Sequence, residues 1–283
     1  MGQTQTLILG FVAGVTILLG LPVGRLRKPA PGLRVFLNAT AIGVLLFLVW
    51  DVLSHAFEPI DAALRKVHDG TGTLGPVIGF GVLFFAGLGV GLLSLVGYES
   101  WLAHRAVGRS APAGPGAMAV DELGTRRSAR WSQPRRLALL IAVGIGLHNF
   151  GEGLAIGGSA AQGELALATL LVIGFALHNA TEGFGIVAPL AADGDRPGWG
   201  FLLLMGAIGG GPTFLGTLVG RQFTSDAVSV IFLTLAAGSI LYVVIQLTGV
   251  ALKARRRTLL YYGVFVGLVA GFITDMVVTA GGA

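Results

Sequence analysis

Long apolar runs alternate along the chain with short polar or basic connections. A helix needs roughly 20 mainly apolar residues to cross the ~30 Å hydrocarbon core of a bilayer. Because lipid cannot satisfy backbone hydrogen bonds, segments of this kind are expected to be helical. The pattern therefore predicts an all-α, polytopic membrane protein with eight transmembrane helices in one domain over residues 1–283. The predicted spans are approximately 5–24, 35–57, 74–101, 135–159, 164–191, 199–220, 226–250 and 259–280.

Composition agrees with this class. The chain is 54% hydrophobic and only 12% charged, whereas soluble domains carry roughly 25% charged residues. It contains no cysteine, so any metal must be held by His, carboxylate, amide or hydroxyl groups. The net charge of +5 is carried by loops between apolar runs, which indicates membrane orientation and gives no reason to expect nucleic acid as a partner.

The basic residues set the predicted orientation. Of the 19 Lys and Arg residues, 16 fall in the connections after spans 1, 3, 5 and 7. Since the positive side is cytoplasmic, both termini are predicted to lie outside a multi-pass protein of the plasma membrane. The three exceptions, on the opposite side, are Arg65, Lys66 and Arg221.

Two further features concern connections and packing. The longest connection, about 103–133, is rich in Gly, Ala, Pro, Ser and Arg and is predicted to be a flexible cytoplasmic loop. Glycines also recur at a spacing of four, which lets membrane helices approach closely. The pairs and triplet with this spacing include Gly10/Gly14, Gly87/Gly91 and Gly263/Gly267/Gly271.

Two related hexapeptides lie within the fourth and fifth spans: 148–153 (His-Asn-Phe-Gly-Glu-Gly) and 178–183 (His-Asn-Ala-Thr-Glu-Gly). In each, His and Glu are four residues apart and project from one helix face. The short turn between the spans makes them antiparallel neighbours, so the polar groups are predicted to converge at one depth. The candidate metal ligands are His148, Asn149, Glu152, His178, Asn179 and Glu182.

The chemistry of these ligands favours a transition metal. Imidazole with carboxylate suits zinc, iron, manganese, cobalt or nickel, while Mg²⁺ and Ca²⁺ prefer oxygen alone. An alternative is that each His–Glu pair is only a buried hydrogen bond between helices. The duplication of the pattern in adjacent spans favours the metal site, because a charged group in a membrane helix costs about 2.5–3.5 kcal/mol on insertion scales.

A weaker pair lies in the second span, where Asp51 and His55 are again four residues apart. One interpretation is a secondary or access position for metal on the outer half of the protein. The other is a polar pair that anchors the helix near the membrane interface. The sequence does not decide between them.

With these motifs, the chain resembles the ZIP (Zrt/Irt-like) family of divalent metal transporters, of bacterial or archaeal type. The resemblance implies transport of Zn²⁺ first, with Fe²⁺, Mn²⁺, Co²⁺, Ni²⁺ or Cd²⁺ as further candidates, toward the cytoplasm through a site between helices 4 and 5. It also implies a candidate homodimer. In the family, helices 1, 4, 5 and 6 are thought to move against helices 2, 3, 7 and 8.

Some positions depart from the family pattern. Gly151 and Thr181 stand where the family often has Pro, and Gly211 stands where the sixth helix usually supplies a Glu. A second metal position is therefore in doubt. Gln246 stands where the seventh helix tends to carry a Glu, which predicts that the outer side has fewer acidic side chains to attract a metal ion.

The sequence lacks the ligand patterns of two classes of metalloenzyme. A zinc hydrolase would show His-Glu-x-x-His, and a di-iron oxidase would use Glu-x-x-His pairs with further glutamates. The order here is His followed by Glu, so an enzyme is not expected. A metal-binding sensor or scaffold that does not transport stays open, because of Gly211.

Overall fold

A computed structural model describes residues 3–25, 31–107, 131–161, 165–193, 195–222 and 225–280. Within these ranges the chain forms eight α-helices and no strand. In chain order they are α1 Gln3–Val15, α2 Pro31–His68, α3 Leu74–Val107, α4 Gln133–Ala161, α5 Leu165–Asp193, α6 Trp199–Gly220, α7 Asp226–Lys253 and α8 Arg257–Ala280.

The end of the first span is tighter than an α-helix. After α1 the chain continues in two 3₁₀ segments, Thr16–Leu19 and Leu21–Arg25. Pro22 has no N–H to donate into an α-helical ladder, and short 3₁₀ pieces are common at helix ends. The two segments keep the chain within reach of α5, because a side chain at Gly20 would meet the backbone of Ala180 and Phe184.

The eight predicted spans coincide with the eight helices, but two helices are longer than predicted. α2 continues through His68, and its last turns carry an exposed Arg65–Asp61 ion pair at 2.7 Å. In the turn that follows, Gly70 has a φ of 69°, in the left-handed region that favours glycine. α3 continues to Val107, so the predicted loop at 103–133 begins later than expected. Its remainder, 108–130, lies outside the described residues.

The helices define a polytopic membrane protein. In the described part of the chain, seven helical stretches are long and apolar enough to cross a bilayer: α1 with its 3₁₀ extension, α2, α3, α4, α6, α7 and α8. α5 has 29 residues, but the structure does not describe the side chains of many of them. That α5 crosses the membrane therefore stays a prediction. The positions of both termini outside also stay a prediction.

The helices pack as two groups. In the first group, α4 lies against α6 and α5, and α1 lies against α6 and α5. In the second group, α2 lies against α8 and α7, and α3 lies against α7. The main contacts between the groups are those of α4 with α7 and of α2 with α5. This division matches the two sets of helices that the family resemblance implies.

Glycine seams bring helices together within each group, as the spacing of four predicts. A side chain at Gly14 would meet the carbonyl of Gly210 on α6, and one at Gly91 would meet the carbonyl of Leu235 on α7. On α8, Gly267 lies against Gly43 of α2. Since no Cβ intervenes, the backbones themselves are in contact.

An ion pair ties the start of α4 to the connection between α5 and α6. Arg135 donates two hydrogen bonds to the carboxylate of Asp195, at 2.7 and 2.9 Å. On the same connection, the Arg25 guanidinium at the end of the first span donates to the Pro197 carbonyl at 2.6 Å and stacks over Trp199. All these residues belong to the first group or to its connections, so the contacts bind that group together.

The ion pair predicts a pH-dependent stability. The hydrogen bonds from Arg135 lower the pKa of Asp195 below its usual value. This contribution is present above the ordinary carboxyl pKa of about 4 and is lost as the pH falls through the lowered value. Asp195→Asn is therefore expected to reduce the thermal unfolding midpoint of the purified protein at pH 7. The difference from wild type should shrink in acid, and a difference that persists unchanged at low pH would contradict the assignment.

Candidate metal site

Three chemistry-bearing side chains of the two hexapeptides meet between α4 and α5. His148 and Glu152 lie one turn apart near the middle of α4, with Nε2 of His148 3.0 Å from Oε1 of Glu152. Glu182 of α5 approaches the same nitrogen, with its Oε1 at 3.8 Å. Their side chains are 3%, 3% and 0% exposed respectively. The predicted convergence of these three groups is therefore present in the structure.

The distances between these side-chain atoms are close to the distances between the ligand atoms of one bound metal ion, but they do not match them. Two ligand atoms bound at about 2.0–2.2 Å to a tetrahedral zinc are roughly 3.4 Å apart. The two distances from His148 Nε2, 3.0 Å to Glu152 and 3.8 Å to Glu182, fall on either side of that value. Among the described residues, no three His, Asp or Glu side chains form a ready-made metal cluster. Shifts of a few tenths of an ångström would be needed to admit an ion.

His178, the fourth predicted His or Glu ligand, has a helical backbone in α5. Its side chain lies outside the described residues. Its role as a ligand stays a prediction, based on its position four residues before Glu182.

The two asparagines hold neighbouring helices. Asn149 donates from Nδ2 to the carbonyl of Gly209 on α6 at 3.0 Å. Asn179 donates to the carbonyl of Ala13 on α1, also at 3.0 Å. Ala13 lies in the last turn of α1, and its carbonyl also accepts a hydrogen bond from the Thr16 hydroxyl at 2.6 Å. Within the described structure, the Oδ1 atoms of both asparagines are buried and have no hydrogen-bond partner. The amide nitrogens are thus committed to helix contacts, and the role of the oxygens as neutral ligands stays a prediction.

The glycine that ends each hexapeptide contacts the same neighbouring segment as the asparagine. A side chain at Gly153 would meet the carbonyl of Thr213 on α6. One at Gly183 would meet the carbonyl of Ile17, in the 3₁₀ continuation of α1. Both glycines lie four residues after an asparagine and so share its helix face. Both glycines therefore bring their helix into close contact with a third helix.

The two halves of the site therefore have the same design. In α4, one face carries His148 and Glu152, and the adjacent face carries Asn149 and Gly153 against α6. In α5, Glu182 faces the site while Asn179 and Gly183 contact the first span. Each hexapeptide combines candidate ligands with residues that contact a neighbouring helix. Both helices run unbroken through Gly151 and Thr181, the positions where the family often has Pro.

Asp51 and His55 form a pair of their own on α2. Nδ1 of His55 lies 3.5 Å from Oδ1 of Asp51, and the side chains are 59% and 26% exposed. The same nitrogen lies 2.9 Å from the Asp51 carbonyl oxygen. The pair does not belong to the buried group around His148, and its role as a secondary or access position stays a prediction.

Gly211 lies on the exposed face of α6. Its position is open, with nothing within 4 Å of an added Cβ, and by helical spacing it shares this face with the exposed Leu204 and Leu215. Gly209 and Thr213 lie on the buried face. A carboxylate at 211 would therefore project away from α4 in this arrangement, which gives no support to a second metal position here.

Gln246 has a different environment from the one expected. It lies in the last turns of α7, near Lys253 and the basic turn, and so not on the side predicted to be outside. Its Nε2 donates to Oε2 of Glu99 at 2.8 Å, and the Tyr242 hydroxyl donates to the same oxygen at 3.0 Å. The carboxylate of this region comes from α3. The sequence shows Glu99 but not its partners.

Thr213 is a polar residue that the sequence does not single out. It is fully buried, packs against Gly153 and Gly14, and its Oγ1 has no hydrogen-bond partner among the described residues. The position three residues after Gly210 in a glycine-rich helix gives no signal of its own, since threonine is common in membrane-helix interfaces.

Fold and site together define an all-helical membrane protein with buried imidazole and carboxylate groups between two adjacent helices. The family model described as ZIP Zinc transporter matches residues 109–247, a stretch that contains α4, α5, α6 and most of α7. No curated protein matches the chain. The chain belongs to the ZIP family.

Membership defines the general function. ZIP proteins are transporters rather than enzymes, and they move divalent metal ions such as zinc across membranes. The chain is thus a multi-pass membrane protein with a divalent metal ion as its substrate. Family membership argues against the metalloenzyme alternative. The sensor or scaffold alternative rests on Gly211 and stays a prediction.

The close contact between Gly153 and α6 can be tested by adding one methyl group. Gly153→Ala is expected to destabilise the protein by about 1–3 kcal/mol, because the methyl group would overlap the α6 backbone. Gly158→Ala, on the same helix, is the matched control, since nothing lies within 4 Å of its added Cβ. Thermal unfolding of both purified variants measures the difference. Equal midpoints would show that α4 and α6 are not in contact at Gly153.

The asparagine contacts predict the effect of an isosteric change. Asn179→Asp keeps the oxygen but removes the donor to Ala13, and it sets a carboxylate against that carbonyl. Loss of the buried hydrogen bond is expected to destabilise the metal-free protein by about 1–3 kcal/mol. Thermal unfolding in a metal chelator measures this. A metal-free stability equal to that of wild type would show that Asn179 does not hold the first span.

Proposed function

We propose that the chain carries Zn²⁺ toward the cytoplasm through a site formed by His148, Glu152, His178 and Glu182. Asn149 and Asn179 contribute neutral oxygens to the same sphere. The observation that carries the proposal is the meeting of Glu152, Glu182 and His148 in a fully buried position near the middle of α4 and α5.

Charge supports a cation at this position. Two carboxylates lie beside one imidazole, with side-chain exposures of 3% or less. An isolated buried charge is very costly unless it is paired. A divalent cation would neutralise both carboxylates, and their charge would offset part of the cost of removing water from the ion.

Ligand type supports zinc among the divalent ions. Imidazole nitrogen with carboxylate oxygen is a common zinc set, and zinc is bound at about 2.0–2.2 Å by such ligands. Fe²⁺, Mn²⁺, Co²⁺, Ni²⁺ and Cd²⁺ are the further candidates, because the same ligands also accept them. The exposed face of Gly211 favours a single ion at this site.

Movement is proposed to follow the division of the helices. The candidate ligands all lie on α4 and α5, which belong to the first group. The ion would therefore travel with the first group as it shifts against the second. Direction toward the cytoplasm rests on the family resemblance and on the predicted orientation of a plasma-membrane protein. The homodimer implied by the resemblance stays a prediction.

Metal uptake into proteoliposomes tests the site. Glu182→Gln and His148→Ala are each expected to lower zinc uptake by roughly tenfold or more, since even residues that only support metal ligands contribute 10–100-fold. Glu58→Gln is the matched control, a carboxylate on the exposed part of α2, and should leave uptake unchanged. If both site variants take up zinc as fast as wild type, the proposed site is wrong. If the wild-type protein binds zinc without taking it up, the result would indicate a sensor.

The same assay separates the Asp51–His55 pair from the buried site. If the pair collects ions on the outer side, His55→Gln should raise the zinc concentration at half-maximal uptake by roughly threefold while the maximal rate is kept, as expected for a residue that contributes only to binding. A variant with both parameters unchanged would assign the pair to helix anchoring.

A further inference from the structure

The turn between α7 and α8 concentrates positive charge at one edge of the molecule. Three consecutive arginines, 255–257, follow Lys253 at this turn, and all of them are exposed. They surround a concave surface that holds about 800 Å³ of open space. Its lining consists of Leu252, Arg255, Arg256, Arg257, Thr258 and Leu259.

Two other arginines of the protein are neutralised by acidic side chains. Arg135 is paired with Asp195 and Arg65 with Asp61. None of the ion pairs in the described residues involves 255–257. The Arg256 guanidinium also lies near the start of α2, 3.4 Å from the position that a Cβ of Gly32 would take. The cluster is therefore free to bind an anion.

The neighbouring residues fix the depth of the cluster in the bilayer. Tyr261 and Tyr262, in the second turn of α8, are 71% and 63% exposed, and exposed Tyr is typical of the membrane interface. Beyond them α8 exposes Phe265 and Phe272, which suit contact with acyl chains. The arginines thus lie at the level of phosphate headgroups, with an apolar helix face directly below them.

The backbone of the turn gives a second reason to connect it with binding. Arg255 has a φ of 54°, in the left-handed region where glycine is the default residue after a helix. An arginine adopts this conformation at an energetic cost. The turn itself has no need of an arginine, which suggests that the guanidinium serves another purpose.

We propose that this turn binds the phosphate headgroup of an anionic phospholipid in the leaflet that the positive-inside rule assigns to the cytoplasm. The guanidinium groups donate to the phosphate oxygens, which they match in geometry and charge. Thr258 adds a hydroxyl donor, and the acyl chains lie along the exposed face of α8. Basic pockets between membrane helices on this side bind acidic lipids in the same way. The proposal does not depend on the identity of the transported metal.

Native mass spectrometry of the purified full-length protein in a neutral detergent tests the site. Phosphatidylglycerol, phosphatidylcholine and inorganic phosphate are added separately, and the bound molecules are counted. Wild type is expected to retain phosphatidylglycerol in preference to phosphatidylcholine. Arg255→Gly and Arg256→Gln should each weaken phosphatidylglycerol binding roughly fivefold, the effect of removing one interfacial positive charge.

Two controls keep the result interpretable. Arg255→Gly relieves the strained backbone, so its thermal unfolding midpoint without lipid should equal or exceed that of wild type. Arg196→Gln removes an exposed arginine outside the cluster and should leave lipid binding unchanged. The proposal is overturned by equal retention of the two lipids by wild type, by an equal loss in Arg196→Gln, or by binding of inorganic phosphate without retention of phosphatidylglycerol.

Discussion

The approach of Glu152 and Glu182 to a single imidazole, that of His148, is the interaction on which the rest of this structure depends. The three groups are almost fully buried, in the interior of a protein that lipid surrounds. Two carboxylates in such a place repel each other unless a proton or a cation lies between them. A divalent ion satisfies that requirement, and it is the substrate that membership of the ZIP family defines.

Contacts with neighbouring helices fix the two helices that carry these carboxylates. α4 is fixed to α6 by Asn149 and Gly153, and α5 is fixed to the first span by Asn179 and Gly183. Because the residues of each pair are four apart, one face of α4 carries the candidate ligands His148 and Glu152, and the next face carries the contact to a third helix. The proposed ligand role and the helix contact together account for the six-residue length of the motif. Neither could be moved by one position without turning its side chains away from their partners.

The sequence was sufficient to predict the helices and the convergence of His148, Glu152 and Glu182, because both depend on local rules. Runs of about 20 apolar residues predict membrane helices, and a spacing of four predicts a common face for His148 and Glu152. The extra turns of α2 and α3 were not predicted, since hydropathy identifies the part of a helix that lipid covers and not its polar extension.

Partners across helices were harder to predict. The sequence does not indicate that Asn149 donates a hydrogen bond to the Gly209 carbonyl. Nor does it indicate that Glu99 accepts hydrogen bonds from Tyr242 and Gln246. These contacts join residues that are far apart in the chain. The same limit applies to Gly211, whose orientation depends on which side of α6 packs against α4.

X-ray absorption at the zinc edge of the zinc-loaded protein is the sharpest test of whether α4 and α5 bind one ion jointly. We expect one zinc per chain, with nitrogen and oxygen ligands at about 2.0–2.2 Å and scattering from two imidazoles. One imidazole should be lost in His148→Ala and one in His178→Ala. A spectrum of hydrated zinc, or one that neither substitution changes, would contradict the shared site.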